Sequence, residues 1–581
     1  MNGNGQHWFV PAWTMFPITS RRCLVRNPQN GAALELSSGE YAVLSACEGC
    51  RPLAEHEVRA AAQLSAPPEH RHAVRDVIER CARAGLLMPL SDLVSRFGSP
   101  QNAPRSPLGG IAIRTSDRPG LLARLLASAA NLEGRGGPKR RWVVFDDSRD
   151  PANEQANRAT ISAWRSLDIV HIGRVESAAL ECKLSAEFPR AEREIAWLLG
   201  AGSVGEATYG RPLNHALLYF AGRAFVIVDD DVILDPRRPP LTDPGFSVSA
   251  DADELFWYEN DEALAAACPP FEVDPVGVHA SWLGLPLASA WSRAECEAGG
   301  LTAIDLRPPH IRRFAANAGI LFTHNHACGD PGSSRLPLQL LTLPRRSLQR
   351  LAGNPHIAAS AFSQRIDWRG QTRLRLAPER VLTFTTMAGI DNSMLMPPAA
   401  RSERSEDVLL GIVAQWMHPS AWLVDLPFGL PHQRDTAKQW VPATATFMQE
   451  PLHVLYGWID EHAPAIAAEE PEQRLGAIGS LLLDFSASSD EHLLELLRQH
   501  AAESGSRTLF AISEQLDDAE LPAQWKDLLV PWLKSPAFAV DRASVNARVL
   551  ATGKVRAYAE ACGRAMLAWP QLWKFCRERS Q

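Results

Sequence analysis

Long hydrophobic runs are missing from this chain. No apolar stretch approaches the roughly 18 residues that a membrane-spanning helix needs, so no span is expected. The amino terminus lacks a basic start followed by an apolar core, so no signal peptide is expected either. An excess of positive charge is also missing. With 59 basic and 66 acidic residues the net charge is −7, which argues against a general nucleic-acid binder. The ten cysteines show no framework of repeated spacings. Cys47-Glu-Gly-Cys50 is a lone pair without a second at zinc-site spacing, and it reads as two ordinary thiols near a turn. Scattered thiols fit a reducing, cytoplasmic setting. Internal repeats and long low-complexity segments are absent as well. What remains is a chain of 581 residues, 46% apolar and 22% charged, enough for roughly two to four globular domains.

The most informative stretch is Ala224-Phe-Val-Ile-Val-Asp-Asp-Asp-Val-Ile-Leu-Asp-Pro236. A run rich in Val and Ile predicts a buried strand. It leads straight into three carboxylates, Asp229, Asp230 and Asp231. Like charges at that place repel one another and are costly to bury without a positive partner. A divalent cation holding a diphosphate supplies one, and hard carboxylate oxygens suit Mg²⁺ or Mn²⁺. The competing reading is a solvated strand end that happens to be acidic.

Composition divides the chain into three sections. The first spans residues 1–97. A linker rich in Pro and Gly, Gly98 to Gly110, leads into the second section, and the third begins near Arg434 with a helical pattern. In the first section, short strands are expected at Cys23–Val25 and Ala32–Leu36. Helices are expected from Ser38, capped by Ser37 or Ser38, over Glu55–Leu64, and over His70–Ala84 until Gly85 stops the last. Leu86-Leu87-Met88 reads as a closing strand. The run from Leu36-Ser-Ser-Gly-Glu-Tyr to Arg83-Ala-Gly-Leu-Leu resembles PqqD-like winged-helix domains, which recognise leader peptides. That resemblance implies a peptide added as a strand to a sheet edge. An unspecified interaction or packing module is the alternative.

The second section alternates strand and helix. Strands are expected at Gly110–Thr115, Arg141–Phe145 and the run before Asp229. Helices are expected from Pro119 and over Asn153–Ser166, Ala191–Leu199 and Arg211–Phe220. Such alternation predicts an α/β domain with a mostly parallel central sheet, whose functional groups sit at the carboxyl ends of its strands. Thr115-Ser-Asp117-Arg118, Asp146-Asp147-Ser and the acid trio all fall at such ends.

Ile111-Ala-Ile-Arg-Thr-Ser-Asp-Arg-Pro119, Trp142-Val-Val-Phe-Asp-Asp-Ser148 and Phe225-Val-Ile-Val-Asp-Asp-Asp231 together resemble a GT-A glycosyltransferase of the broad family-2 kind. The resemblance implies a fold of nucleotide-diphospho-sugar transferase type over residues 109–435. A PqqD-like domain over 1–97, a linker over 98–108 and a helical carboxyl-terminal region over 436–581 would flank it. It also implies a set of roles. Thr115, Asp117 and Arg118 border the nucleotide, Asp146 or Asp147 contacts the base, and Asp229 and Asp230 contact the donor. Asp229 and Asp231 hold ribose and a Mn²⁺ or Mg²⁺ ion. Family members often carry adjacent Arg-Asn in the helix before this strand. Here the sequence is Arg211-Pro-Leu-Asn214, with Arg211 displaced. Glu406-Asp407 resembles the family's Glu-Asp pair that supplies the base. The competing reading is a charge pair stabilising a helix amino terminus. His432 matches the late histidine that some GT-A enzymes use as a further metal ligand; a loop histidine is the alternative.

Other segments carry weaker signals. Alternation points His324, His326 and Cys328 to one side of a strand, where a zinc site is possible, although a loop lining the acceptor cleft is the preferred expectation. Gly389-Ile-Asp-Asn392 reads as a polar turn. Trp257 and Tyr258 are candidates for stacking on a sugar, against a surface helix with buried aromatics. The expected partners are a nucleotide-diphosphate sugar donor and a hydroxyl acceptor, which the first section would make a peptide or a peptide-derived product. Two other readings compete. One is a haloacid-dehalogenase-like phosphotransferase, with an Asp of the trio as nucleophile. The other is a non-catalytic binding protein on the same scaffold.

Overall fold

A computed structural model describes residues 6–100, 107–202, 206–330, 340–362, 366–379, 386–433 and 449–579. Part of the expected linker, the turn after Asp330 and the start of the helix expected from Thr444 lie outside the described residues.

The amino-terminal section holds two small antiparallel sheets. Strands β1 (His7–Phe9), β5 (Cys50–Pro52) and β6 (Met88–Pro89) form one, with β1 central, and β2 (Thr14–Thr19), β3 (Arg22–Arg26) and β4 (Ala33–Ser37) form the other. Ser37 caps the helix Ser38–Ser45 through a reciprocal box: its Oγ accepts the Glu40 N–H at 3.3 Å and Glu40 accepts the Ser37 N–H at 2.8 Å. Helices Leu53–Gln63 and Arg71–Arg83 follow, and Gly85 ends the second at φ +80°. The strand expected at Leu86–Met88 is only Met88–Pro89. Leu86 and Leu87 instead turn into the small core with Val25, Leu36, Leu44 and Ile78. Cys47 and Cys50 are both buried free thiols.

A mixed α/β layer follows, built on a sheet of 12 strands in which parallel pairings outnumber antiparallel ones. Its strands are β7 (Leu108–Thr115), β8 (Arg141–Asp146), β9 (Asp168–Ile172), β10 (Ala224–Asp229), β11 (Phe246–Val248), β12 (Glu254–Trp257), β13 (Leu301–Ile304), β14 (Gly319–Gly329), β15 (Asp367–Gly370), β16 (Leu374–Ala377), β17 (Met387–Ile390) and β18 (Ala421–His432). The main path runs β13-β11-β16-β18-β14-β17-β10-β7-β8-β9; off it, β15 pairs with β14 and β12 pairs with β15. The block β10-β7-β8-β9 is parallel throughout.

Both faces of this block are covered, as its continuous apolar strands require. Phe225 and Ile227 of β10 face one core with Val143, Phe145 and the helix Gly210–Tyr219. Val226 and Val228 face the other with Trp142, Val144 and the helix Pro119–Glu133. Each such side chain contributes roughly 1.5–3 kcal/mol when fully buried. This anchors β10 firmly enough to present charge at its end.

The carboxyl-terminal helices belong to the first of these cores. Leu475 and Ile478 of Pro471–Ala487 and Val555 and Trp569 of Thr552–Arg579 pack with Leu409 and Leu410 of Glu406–Met417. The two long helices cross closely at glycine: a Cβ on Gly563 would lie 2.7 Å from the Gly479 carbonyl oxygen. A separate cluster joins Trp525, Leu529 and Ile512 to Leu348 and Trp257.

Three expectations are corrected by this sheet. The segment around Trp257 and Tyr258 is strand β12 and not a surface helix, and both rings are buried in apolar clusters where no sugar can stack. Of Gly389-Ile-Asp-Asn392, expected as a polar turn, Gly389 and Ile390 instead close strand β17 between β10 and β14, while Asn392 lies in the turn that follows. Its side chain donates to the carbonyls of Leu217 and Phe220 at 2.9 and 2.8 Å. His324, His326 and Cys328 lie on the buried strand β14, not on a loop. Pairing with strands far along the chain fixes each of these strands: β12 on β15, β17 on β10 and β14, and β14 on β18. Among the described residues no helix is long and apolar enough to cross a membrane.

Candidate functional site

Because β8, β7 and β10 are parallel neighbours, their carboxyl ends lie side by side. The chain beyond Asp229 bends back along the end of β18. Val232 bridges to His432, and Gln433 donates its N–H to the Asp231 carbonyl at 2.9 Å. That return pairing sets His432 Nε2 3.1 Å from Asp231 Oδ1. The helix Glu406–Met417 brings Glu406 in from the other side.

One cation organises this cluster. Arg114, the penultimate residue of β7, reaches Asp229 Oδ1 at 2.7 Å and Glu406 Oε1 at 3.2 Å. Thr115 donates to Asp230 at 2.7 Å. Arg118, half-exposed, lies 3.3 Å from Asp230 and 3.4 Å from Asp231. Seven of the anticipated residues thus converge here: Thr115, Arg118, Asp229, Asp230, Asp231, Glu406 and His432. Asp407 adds its field to that of Glu406.

The electrostatics follow from burial and mutual repulsion. Burial, then the Asp231 charge, pushes the Asp230 carboxyl up to about 7. Burial, then Asp407, pushes Glu406 up to about 7 against the pull of Arg114. Burial and Asp231 also raise Asp229, which Arg114 partly offsets. Burial alone would lower Arg114, but Asp229 and Glu406 outweigh it and hold the guanidinium charged. The acids therefore exceed the local positive charge. The donor set, carboxylate oxygens with one imidazole, suits Mn²⁺ and accommodates Mg²⁺.

The β8 end is a second polar centre. Asp146 points inward and accepts from Ser148 N at 3.0 Å, Asn157 Nδ2 at 2.9 Å and His171 Nε2 at 3.0 Å. Although burial opposes it, these bonds, led by His171, keep Asp146 below the ordinary carboxylate range. Asp147 instead meets Arg211 Nη1 and Thr208 Oγ1, each at 2.5 Å. Burial raises its carboxyl despite Arg211.

Two anticipated residues serve the scaffold. Asp117, at φ +54°, accepts the N–H groups of Arg149 and Asp150 at 3.1 and 3.0 Å and so ties the loop after β7 to the loop after β8. Asn214 is fully buried and joins its helix to Ala399, accepting that N–H at 2.7 Å and donating to its carbonyl at 3.0 Å.

Arg114, Thr208, Asn157 and His171 escaped the sequence reading. Arg114 carried one usable signal, a lone cation at the end of an otherwise apolar strand. The other three carried none, because only folding brings them to Asp146 and Asp147. No family model, curated protein or solved structure matches this chain.

Proposed function

We propose that this protein is a divalent-cation-dependent glycosyltransferase of GT-A type, moving a sugar from a nucleotide-diphosphate donor to a hydroxyl acceptor with inversion. One observation carries the reading. Asp229, Asp230 and Asp231 at the end of a buried parallel strand converge with Glu406 across Arg114, and His432 closes on Asp231. Asp229, Asp231 and His432 would hold Mn²⁺ or Mg²⁺, which when bound offsets charge on the departing diphosphate. Asp147 and the loop from Thr115 to Arg118 flank the place for nucleotide base and phosphates. Arg118 has the exposure to turn toward phosphate oxygens. Glu406, with Asp407 beside it, takes the acceptor proton. A carboxyl poised near 7 is matched to that task at neutral pH.

The amino-terminal section supports a peptide-linked acceptor. Among the described residues strand β2 lies at a sheet edge, paired with β3 alone, and Met15, Phe16 and Ile18 on it are exposed. An open edge with apolar side chains suits an added peptide strand. Ten free cysteines agree with a reducing cytoplasm.

The test is hydrolysis of UDP- and GDP-sugars with Mn²⁺ by native protein and by Asp231→Ala. Release of nucleoside diphosphate by native protein, lost in a folded variant, is the expected result. Nucleotide binding without turnover would leave a non-catalytic scaffold. Turnover of simple phosphate esters would point to a phosphotransferase.

A further inference from the structure

Two imidazoles and a carboxylate meet inside the sheet, apart from the acid trio. Period-2 alternation puts His324 and His326 on one face of β14, and their ring centroids are 5.4 Å apart. Asp425 is the register partner of His324 on the neighbouring parallel strand β18. One ligand atom from each of the three lies within 4.8 Å of the others, and all three residues are buried.

The separations favour a shared ion over a hydrogen-bonded pair. His324 Nδ1 lies 3.6 Å from Asp425 Oδ1. This is longer than a hydrogen bond. It is close to the ~3.4 Å between two donors that bind one tetrahedral ion at about 2.1 Å.

The surroundings fit the same purpose. Arg375 holds the other Asp425 oxygen, Oδ2, through Nε at 2.7 Å and Nη2 at 2.6 Å, and so aims Oδ1 toward His324. Metal-binding carboxylates are commonly oriented this way. Asp253, 3.2 Å from Arg375, offsets the guanidinium charge. On β15, Gly370 leaves the space that the His326 ring fills, since a Cβ there would collide with it. The register of β14 on β18 also shifts between His324 and His326, the kind of local bulge that re-aims side chains.

We propose that His324, His326 and Asp425 form a zinc site that ties β14 to β18. Two imidazole nitrogens and one carboxylate oxygen suit Zn²⁺ far better than Mg²⁺, and leave one tetrahedral position for water. The site shares no residue with the proposed transferase centre.

The experiment loads full-length protein with Zn²⁺, removes loose metal by desalting and counts zinc by elemental analysis. About one zinc per chain is expected in native protein and in Asp231→Asn, falling at least about fivefold in His326→Gln and Asp425→Asn. Full retention in His326→Gln, or no zinc in native protein, would overturn the assignment. Retention in Asp231→Asn separates this site from the acid trio, whatever becomes of the transferase reading. If both site variants fail to fold, native protein loaded with Co²⁺ decides. Visible ligand-field bands bleached by Zn²⁺ support the site, and their absence overturns it.

Discussion

His432 Nε2 lies 3.1 Å from Asp231 Oδ1, joining the end of β18 to the acidic turn after β10. Neither residue has the other near it in sequence. The bridge between Val232 and His432 makes the contact obligatory once the sheet is formed. The proposed cation site therefore depends on sheet closure as much as on the acids.

This pairing predicts graded metal loss. Asp231→Asn should weaken Mn²⁺ binding and transfer by about 10²–10³-fold, the scale of removing a group that stabilises developing charge. His432→Gln should weaken Mn²⁺ binding by roughly tenfold and leave the fold intact. Titration of free Mn²⁺ by electron paramagnetic resonance reads both, and unchanged affinity in either variant would remove that residue from the site.

Arg114 stands between two carboxylates, so its removal leaves buried negative charge uncompensated. Arg114→Leu should lower stability by about 3–5 kcal/mol, as breaking a buried pair does. Adding Glu406→Gln should restore part of the loss, because it deletes one of the stranded charges. Urea denaturation of the single and double variants checks this. Additive losses would show that Arg114 does not bridge the two acids.

Glu406 should impose an acid limb on transfer. As the base it must be ionised, and its carboxyl titrates near about 7. Activity is expected to fall tenfold per pH unit below that value and to level off above it. Glu406→Gln should remove about 10²–10⁴-fold of the rate and abolish the limb while donor binding persists. A limb of the same midpoint in Glu406→Gln would assign it to another group.

Acid sensitivity of the fold should trace in part to His215. Burial, then the neighbouring Arg211 charge, pushes its imidazole down to about 3. The unfolded chain takes up a proton below about 6.5 while the folded chain does not, so stability falls as pH drops from about 6.5 toward 3. The loss is at most about 1.4 kcal/mol per pH unit. Denaturation midpoints at pH 7.5 and 5 should converge in His215→Gln relative to native protein. An unchanged pH slope would clear His215.

Much of the parallel block was legible before folding. Apolar runs at Ile111–Ile113, Trp142–Phe145 and Phe225–Val228 are long, β-branched and end in polar groups, so both their type and their active ends could be read. Strand β9, Asp168–Ile172, was missed because its side chains are only partly buried and its apolar signal is short. Strands β12, β15 and β17 are not legible in the sequence: the β12 segment reads as a surface helix, the β17 segment as a turn, and β15 carries no signal. Their hydrogen bonds go to partners far along the chain, and nothing local announces them.

The sequence by itself determined the kind of layers and where the acids emerge, because burial patterns and charge repulsion are local properties. Tertiary structure alone decided which acids share a cation. It turned Asp146 inward to His171 and Asp147 toward Arg211, set Glu406 across Arg114 from Asp229, and brought His324 and His326 against Asp425. Those choices depend on strand order and register, which are set by the whole sheet closing its backbone hydrogen bonds at once.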